Sequence, residues 1–455
     1  MINPFIFREY DIRGVADKDF SDETTYTLGK TLGTYFLRNN IKTVSLGRDC
    51  RLSSPRLHQH LSRGLLETGC NLLDLGIIPT PLLYYSLFTL DTEGGVMITG
   101  SHNPPDNNGF KICKGKHTIF GEEIRCLRDL LEDGDFEEGK GTVRREEVLS
   151  SYMDAVQNFL TMGCYQRRVI IDSGNGTAGM VAGPLYRKLG AHVTELFSEM
   201  DGTFPHHHPD PTLPESLEIL RETVTKQKAD VGIAFDGDAD RIGVIDDRGT
   251  IIWGDQLMII FSRALLKEFP GATFIAEVKC SQTLFDDIER HGGRAIMWKA
   301  GHSLIKAKLI EENAVLAGEM SGHIFFANRY YGYDDAVYAG ARLLEILSST
   351  GEKLSDLLAG LPPTVATPEI RTKCPEEIKF AVVEKLVERF KKQYRVIDVD
   401  GARILFDRGW GLVRASNTQP ALVLRFEAQD GPALERMKTR VEQAVACAMQ
   451  ELEQP

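Results

Sequence analysis

The chain has 455 residues, which at about 150 residues per domain predicts several domains rather than one core. Apolar residues make up 42% and charged residues 26%, ordinary globular values that exclude general disorder. The net charge of −12 lacks the basic footprint of a general nucleic-acid binder, so we expect no nucleic-acid partner. Basic groups that bind an anionic ligand must therefore be concentrated locally.

The cysteines and the N-terminus indicate the compartment. The 8 cysteines are scattered without a C-x-x-C pair, which predicts neither a disulfide framework nor a zinc site. The chain has no apolar run of about 18 residues to span a membrane, and it lacks the basic and apolar regions of a signal peptide at its start. We expect a cytoplasmic monomer with no membrane partner.

The predicted elements recur in chain order. Three times, an apolar run with β propensity ends in a turn and is followed, after a helical pattern, by a second apolar run that ends in a loop of polar side chains. The first runs are 43–49, 169–176 and 274–280, and the second runs are 95–102, 231–238 and 315–321. Strands that alternate with helices indicate parallel α/β units, and three in series predict three related α/β domains.

A smaller fourth domain follows a proline-containing linker at Pro362-Pro363. It mixes strands near 402–406 and 422–426 with helices near 375–392 and 431–453, which predicts an α+β class. Changes in composition at 132–141 and a hairpin turn at 246–249 indicate the other boundaries. The predicted domains are 1–147, 148–252, 253–362 and 363–455.

Three aspartates form the strongest chemical signal in an aspartate loop at 236–241. Asp236, Asp238 and Asp240 alternate directly after a predicted strand, and such carboxylates repel one another unless a cation lies among them. Hard oxygen ligands suit Mg²⁺. An EF-hand is excluded because Arg241 and Asp247 stand where its glycine and glutamate are needed. A solvated acidic turn and an aspartyl-phosphate phosphatase, whose strand also ends in Asp-x-Asp, remain alternatives.

A serine loop at 99–105 places Ser101 at a strand end. A hydrolase elbow needs glycine at positions 99 and 103, where Thr99 and Asn103 stand. The hydroxyl is then a candidate carrier of a phosphoryl group. The flexible backbone at Gly109 lets the loop fold back and bring Lys111 near the serine. A purely structural Ser-His pair is the alternative.

Two further loops carry polar clusters. The glutamate loop, Gly318-Glu319-Met320-Ser321-Gly322-His323, offers a carboxylate and a hydroxyl to sugar hydroxyls, or is an ordinary turn. The arginine loop at 414–420 offers a guanidinium, hydroxyls and an amide, a donor set that suits a phosphate dianion. An Asx or ST turn is its alternative. The remaining polar residues in or beside turns are Tyr10, Arg13, Arg48, Lys279 and His302.

These four loops, in this order along essentially the whole chain, resemble the signatures of the α-D-phosphohexomutase family. The resemblance implies three similar α/β mixed-sheet domains in series and a C-terminal α+β (TBP-like) domain around a central cleft. Glu319-Met320-Ser321 and the start at 7–14 resemble the bacterial phosphomannomutase/phosphoglucomutase branch. The implied activity is the reversible interconversion of hexose 1-phosphate and hexose 6-phosphate through a phosphoserine and a 1,6-bisphosphate. A phosphoaminosugar mutase of the same family and a Mg-dependent sugar phosphatase with an Asp nucleophile remain alternatives.

The resemblance also implies roles for individual residues. Ser101 would be the phosphoserine, and a phosphoserine oxygen with Asp236, Asp238 and Asp240 would hold Mg²⁺. Glucose 1,6-bisphosphate, or its mannose analogue, would be the activator and intermediate, and a small hexose phosphate the substrate. Ala239 departs from the glycine that is common there. The other implied catalytic residues are Arg13, His102, Lys111 and Arg241, and the substrate-binding residues are Tyr10, Lys279, His302, Glu319, Ser321, Arg414, Ser416, Asn417 and Thr418.

Overall fold

The structure is a computed structural model that describes residues 3–416 and 419–453. Its strands form four sheets, and each sheet takes its strands from one of the four predicted domain ranges. The domain boundaries themselves stay predictions. Short 3-10 helices cover Pro4–Ile6, Thr177–Met180, Pro214–Leu217 and Leu354–Asp356.

The first sheet belongs to the first domain. Its strands are β1 (Ile12–Val15), β2 (Thr43–Arg48), β3 (Asn71–Ile77), β4 (Gly94–Ile98), β5 (Asn107–Lys114), β6 (His117–Thr118) and β7 (Val143–Arg145). They lie in the order β1-β5-β4-β2-β3-β7, and β6 pairs with β5. The helices of this domain are α1 (Ala16–Asp19), α2 (Asp22–Arg38), α3 (Ser54–Glu67), α4 (Thr80–Thr89) and α5 (Glu122–Asp133).

The second and third sheets are smaller. The second contains β8 (Arg168–Asp172), β9 (His192–Leu196), β10 (Val231–Phe235), β11 (Ile242–Asp246) and β12 (Ile251–Ile252), accompanied by α6 (Leu149–Phe159), α7 (Ala182–Lys188) and α8 (Glu218–Gln227). The third contains β13 (Thr273–Glu277), β14 (Arg294–Trp298), β15 (Leu316–Gly318) and β16 (Ile324–Phe326), accompanied by α9 (Gly254–Glu268), α10 (Gln282–Arg290), α11 (His302–Glu311) and α12 (Ala336–Thr350).

One four-strand order recurs in all three sheets. It runs β3-β2-β4-β5 in the first, β9-β8-β10-β11 in the second and β14-β13-β15-β16 in the third. In each case the first three strands are parallel and the fourth is antiparallel. The prediction of three related α/β domains is confirmed. The serine, aspartate and glutamate loops all lie between the third and fourth strands, at the carboxyl end of a parallel strand, where open α/β sheets bind ligands.

The fourth domain has an antiparallel sheet. Its strands are β17 (Val365–Ala366), β18 (Ile370–Lys373), β19 (Arg395–Ile397), β20 (Ala402–Phe406), β21 (Gly409–Ala415) and β22 (Ala421–Ala428). The helices α13 (Lys379–Lys391) and α14 (Gly431–Glu453) pack on it through an apolar core of their own. The predicted α+β class of this domain is confirmed.

Local sequence explains where several helices begin and end. The side chain of Ser21 accepts the Thr24 N–H at the start of α2, and Asp335 accepts the Tyr338 N–H at the start of α12. The helix α12 ends at Gly351, whose φ of 71° lies in the left-handed region that glycine adopts without a Cβ clash.

The apolar cores fix the domains against one another. One continuous cluster contains Leu83 of the first domain, Phe235 of the second and Phe261 of the third, so these three domains share a core. The fourth domain contacts the third through a small cluster of Val278, Trp410 and Leu412. Burial of apolar surface on this scale holds the loops of the first three domains in fixed relative positions.

Candidate active site

The serine loop meets the aspartate loop across the boundary between the first and second domains. Ser101 Oγ donates a hydrogen bond to Asp236 Oδ2 at 2.6 Å, and His102 Nδ1 lies 3.1 Å from the same Oγ. Ser101 is buried and has a φ of 47°, a costly left-handed conformation for a residue other than glycine. A Cβ on Gly237 would lie 2.5 Å from the Ser101 carbonyl oxygen, so a glycine there allows the two backbones to touch.

Arg51, which the sequence analysis missed, fixes the shape of the serine loop. Its guanidinium is fully buried and donates hydrogen bonds to the carbonyl oxygens of residues 101, 103, 104 and 107. Asp49 completes the support, because its Oδ2 accepts the Gly100 N–H at 3.0 Å and lies 3.3 Å from Arg51 Nε. The strained conformation of Ser101 is thus held by contacts to residues some 50 positions away.

The aspartate loop forms a compact cluster of carboxylates. Asp236, Asp238 and Asp240 are fully buried, and one oxygen of each lies within 4.8 Å of the others. Burial, with the charges of Asp240 and Asp238, raises the pKa of Asp236 well above its ordinary value. Within residues 3–416 and 419–453, Asp238 Oδ1 and Asp240 Oδ1 are buried and have no hydrogen-bond partner. A set of hard oxygen donors with such orphaned atoms fits a divalent cation.

Lys111 contacts two of the three carboxylates in this cluster. Its Nζ donates to Asp238 Oδ2 at 2.8 Å and contacts Asp240 Oδ2. Burial would raise the pKa of Asp238, but the Lys111 ammonium outweighs burial and lowers that pKa below its ordinary value. Thr80 and Thr99 also donate to Asp238 Oδ2. Asp238 Oδ1 and Asp240 Oδ1, which accept no such hydrogen bond from the described residues, are therefore the oxygens available to a cation.

Arg241 joins the aspartate loop to His323 of the glutamate loop. Arg241 Nε donates to His323 Nε2 at 2.9 Å, and His323 Nδ1 lies 3.0 Å from Asp334 Oδ2. Since Nε2 accepts, a neutral imidazole carries its proton on Nδ1, facing Asp334. Asp240, His323 and Asp334 also have ligand atoms within 4.8 Å of one another, so they form a second group that is close enough to hold an ion. The sequence analysis gave no role to His323 or Asp334.

The glutamate loop turns its carboxylate toward the start of α11. Glu319 is buried, its Oε1 accepts the Gly301 N–H at 2.6 Å, and Ser321 Oγ donates to its Oε2 at 3.2 Å. Burial and the charge of Lys306 lower the pKa of His302, the first residue of α11, well below its ordinary value. The His302 imidazole is therefore neutral at physiological pH.

Two N-terminal residues border the same region. Tyr10 OH donates to the Ala300 carbonyl at 2.9 Å, and Arg13 Nε donates to Asp11 Oδ1 at 2.8 Å. Burial opposes the charge on Arg13, but the ion pair with Asp11 outweighs burial and raises the pKa of Arg13 above its ordinary value. Arg13 thus remains a fixed positive charge.

The arginine loop begins at the end of β21. Arg414 and Ser416 are both buried, and Arg414 Nε donates to Asp400 Oδ2 at 2.9 Å. Lys379, a residue the sequence analysis did not notice, is also buried and donates to the Ser416 carbonyl at 2.6 Å. The predicted ligands Asn417 and Thr418 lie outside the described residues.

Lys279 lies between two carboxylates at the junction of the third and fourth domains. Its Nζ is 3.5 Å from Glu277 Oε1 and 3.3 Å from Glu369 Oε2. Burial raises the pKa of Glu277 to about 7, although the nearby Lys279 ammonium lowers it. Glu277 also accepts the Met320 N–H of the glutamate loop at 2.9 Å.

Described parts of all four loops therefore belong to one connected polar region. The serine loop bonds to the aspartate loop, the aspartate loop to the glutamate loop, and Asp400 links Arg414 to the peptide next to Gly301. Lysine and arginine side chains gather here within a chain of net charge −12. This arrangement suits a phosphorylated ligand that is large enough to contact several domains.

Four models of the phosphoglucomutase/phosphomannomutase family match the chain in series. They describe alpha/beta/alpha domain I at residues 4–137, domain II at 150–249, domain III at 253–365 and the C-terminal domain at 369–444. The chain belongs to this family. The resemblance seen in the four loops, including the bacterial branch, is confirmed.

Individual members of the phosphoglucomutase/phosphomannomutase family are similar over nearly the whole chain. A phosphomannomutase/phosphoglucomutase of Pseudomonas aeruginosa is 46% identical over 435 residues, 95% of this chain and 94% of that protein. A phosphoglucomutase of Neisseria gonorrhoeae is 44% identical over 440 residues, 96% of this chain and 95% of that protein. A family protein from Burkholderia thailandensis, known from its crystal structure, is 39% identical in sequence. The two structures align with a TM-score of 0.93 over 98% of each chain.

These findings make the chain an enzyme of the isomerase class, a phosphohexomutase of carbohydrate metabolism. Among the described residues, no helix combines the length and apolar character that a membrane crossing needs.

Proposed function

We propose that this enzyme interconverts the 1-phosphates and 6-phosphates of mannose and glucose by exchanging a phosphoryl group with Ser101. One observation carries the proposal: a buried hydroxyl lies 2.6 Å from Asp236, at the edge of a cluster of three buried carboxylates. Such clustering costs free energy in folding, because like charges are desolvated together. The cost is offset if the cluster binds a cation beside a phosphorylated serine.

We assign Mg²⁺ to Asp236, Asp238 and Asp240, with an oxygen of phosphorylated Ser101 as a further ligand. The donors are all hard oxygens, and Asp238 Oδ1 and Asp240 Oδ1 accept no hydrogen bond from any described residue. When bound, Mg²⁺ supplies positive charge that stabilises the transferring phosphoryl group.

The side chains around Ser101 support the exchange. The phosphorus–oxygen bond to Ser101 breaks while a bond to a free sugar hydroxyl forms, and the hydroxyl proton passes to His102, whose Nδ1 lies 3.1 Å from Ser101 Oγ. Lys111 and Arg13, the other candidates, are already protonated and cannot accept it. The 1,6-bisphosphate then reorients, and its other phosphate returns to Ser101. Lys111, Arg241 and Arg13 surround the reacting group with positive charge, and this preorganised field replaces solvent. Phosphate monoesters react very slowly unaided, so position and charge must supply most of the acceleration.

The other loops hold the rest of the substrate. In the proposal, Glu319 and Ser321 bind hydroxyls that mannose and glucose share, so both C2 epimers are accepted. Arg414 and Ser416, with Asn417 and Thr418, bind the phosphate that is not reacting. Tyr10, Lys279 and His302 line the cleft between these two sites.

The assembly state and compartment complete the proposal. We propose a cytoplasmic monomer with no nucleic-acid partner. The acidic net charge supports the absence of a nucleic-acid partner, and the free state of all eight cysteines supports a reducing compartment. Sedimentation of the purified protein tests whether it is a monomer in solution.

The central test is a coupled assay with mannose 1-phosphate and glucose 1-phosphate, with glucose 1,6-bisphosphate as activator, and intact mass on the same samples. Ser101→Ala should lose isomerisation and the mass of one phosphoryl group, while Ser150→Ala, an exposed serine on α6, should keep both. Chelation should abolish turnover and added Mg²⁺ should restore it. A phosphatase with an aspartate nucleophile gives the opposite pattern: Ser101→Ala still releases phosphate, Asp236→Asn does not, and hydroxylamine removes the bound phosphoryl group.

A further inference from the structure

The peptide at Ala300-Gly301 is held by three domains at once. Tyr10 of the first domain donates to the Ala300 carbonyl at 2.9 Å, and Glu319 of the third accepts the Gly301 N–H at 2.6 Å. Asp400 of the fourth domain accepts the Ala300 N–H at 3.0 Å. Three hydrogen bonds from distant parts of the chain therefore fix two consecutive residues.

Asp400 has a second partner in the arginine loop. The same Oδ2 that accepts the Ala300 N–H also accepts Arg414 Nε at 2.9 Å. Neither terminal nitrogen of Arg414 forms a hydrogen bond to a residue within 3–416 or 419–453. An arginine held by its Nε edge keeps both terminal nitrogens in a defined plane, which suits bidentate binding of phosphate.

The backbone next to Asp400 is shaped for this contact. Gly401 has a φ of 91°, and a Cβ there would lie 2.4 Å from the Val413 carbonyl oxygen and 2.8 Å from Arg414 Cα. On the other side, Gly301 has a φ of 132°, and a Cβ there would lie 2.5 Å from the Tyr10 ring. Glycine at both positions permits these close approaches.

We propose that Asp400 is a positioning residue for substrate binding, which orients Arg414 and couples it through Ala300-Gly301 to Glu319. The phosphate anchor in the fourth domain and the sugar-binding carboxylate in the third then act as one unit. The inference rests on the proposed function, because phosphate and sugar are the ligands that it couples.

The test measures binding rather than turnover. Calorimetry with glucose 6-phosphate on Ser101→Ala protein compares Asp400→Ala, Asp400→Asn and Asp398→Asn. Loss of a hydrogen bond to a charged group predicts that Asp400→Ala weakens binding by about ten- to a hundredfold. Asp400→Asn keeps an acceptor oxygen without the charge and should fall between. Asp398 pairs with Lys391 at the surface, so Asp398→Asn should bind like the parent.

A double-mutant cycle with Glu319→Ala tests the coupling. If both carboxylates act through Ala300-Gly301, Asp400→Ala weakens binding less in the Glu319→Ala background than in the parent. If Asp400 has a merely structural role, its substitution lowers the unfolding temperature, and the losses of affinity caused by Asp400→Ala and Glu319→Ala multiply. Multiplied effects, or unchanged affinity in both Asp400 variants, would overturn the inference. If Asp400→Ala does not fold, Asp400→Asn carries both comparisons.

The outcomes also separate this inference from the proposed function. A parent enzyme that binds glucose 6-phosphate and shows the expected coupling, yet does not isomerise hexose phosphates, refutes the proposed function and leaves the role of Asp400 standing. An active enzyme with uncoupled variants does the reverse.

Discussion

Substitution of Arg51 by lysine tests how Ser101, the proposed phosphoserine, is held in position. Arg51 donates to four carbonyl oxygens of the serine loop and lies beside Asp49. Nη1 of Arg51 serves two of these carbonyls and Nη2 the other two, whereas a lysine keeps the charge but has one nitrogen, which can replace only one of them. Two carbonyl oxygens therefore lose their partner. At about 1–3 kcal/mol for each unsatisfied carbonyl, the free energy of unfolding falls by at least about 2 kcal/mol.

The effect on catalysis should exceed the effect on stability. A loss of about 2 kcal/mol lowers the unfolding temperature of a domain this size by about 4–8 °C. A displacement of about 1 Å in a reacting group costs about a hundredfold in rate, so we expect kcat to fall by about that factor. Scanning calorimetry and the coupled assay, at a Ser101 phosphorylation level matched by intact mass, measure the two effects separately.

Arg63→Lys is the matched control, since Arg63 lies on α3, the helix that follows Arg51 in the chain, and pairs with Glu67 in solvent. Its kcat and unfolding temperature should equal those of the parent. If Arg51→Lys behaves like this control in both measurements, Arg51 does not determine the position of the serine loop, and the reasoning fails.

Three further substitutions test other parts of the structure. Lys379→Met removes the buried donor to the arginine loop and should raise KM for hexose phosphate by about tenfold, whereas Lys385→Met on the exposed side of the same helix should leave KM unchanged. Gly301→Ala forces a Cβ against the tyrosine ring and should lower kcat/KM, while Gly292→Ala, left-handed but with open space around it, should cost only about 1–2 kcal/mol of stability. Burial raises the pKa of Asp335 to about 6 from 3.8, so the folded state binds more protons between these values and stability falls by about 3 kcal/mol as pH rises. The unfolding temperature of Asp335→Asn should therefore rise relative to the parent from about pH 4 to pH 6, and a constant difference would refute the assignment.

The four loops could be predicted because the polar residues of each loop are contiguous in the sequence. Ser101 and the aspartates each follow an apolar strand, and the alternation of strands and helices places such strand ends at the sheet edges. The recurrence of three α/β units could be predicted for the same reason. The resemblance to a known family then supplied roles that spacing alone left open.

The supporting residues could not be predicted from local pattern. Arg51 contacts the Ser101 carbonyl 50 positions away, and Asp400 contacts Ala300 across 100 positions. Neither belongs to a recognisable motif, because their function lies in tertiary contacts that only the packing of domains creates. His323 stood within a quoted loop, yet its pairing with Arg241 and Asp334 also depends on the fold.

The recurrence of one strand order in three sheets has a consequence for how such an enzyme can diverge. In the proposed function, the same position in each unit provides a nucleophile in the first, cation ligands in the second and sugar contacts in the third. Each of these roles thus belongs to a separate loop between two strands, and a mutation in one loop need not alter the other two loops. If the proposed roles hold, a shift in sugar preference requires changes around Glu319 and Ser321 and leaves the loops that transfer the phosphoryl group unchanged.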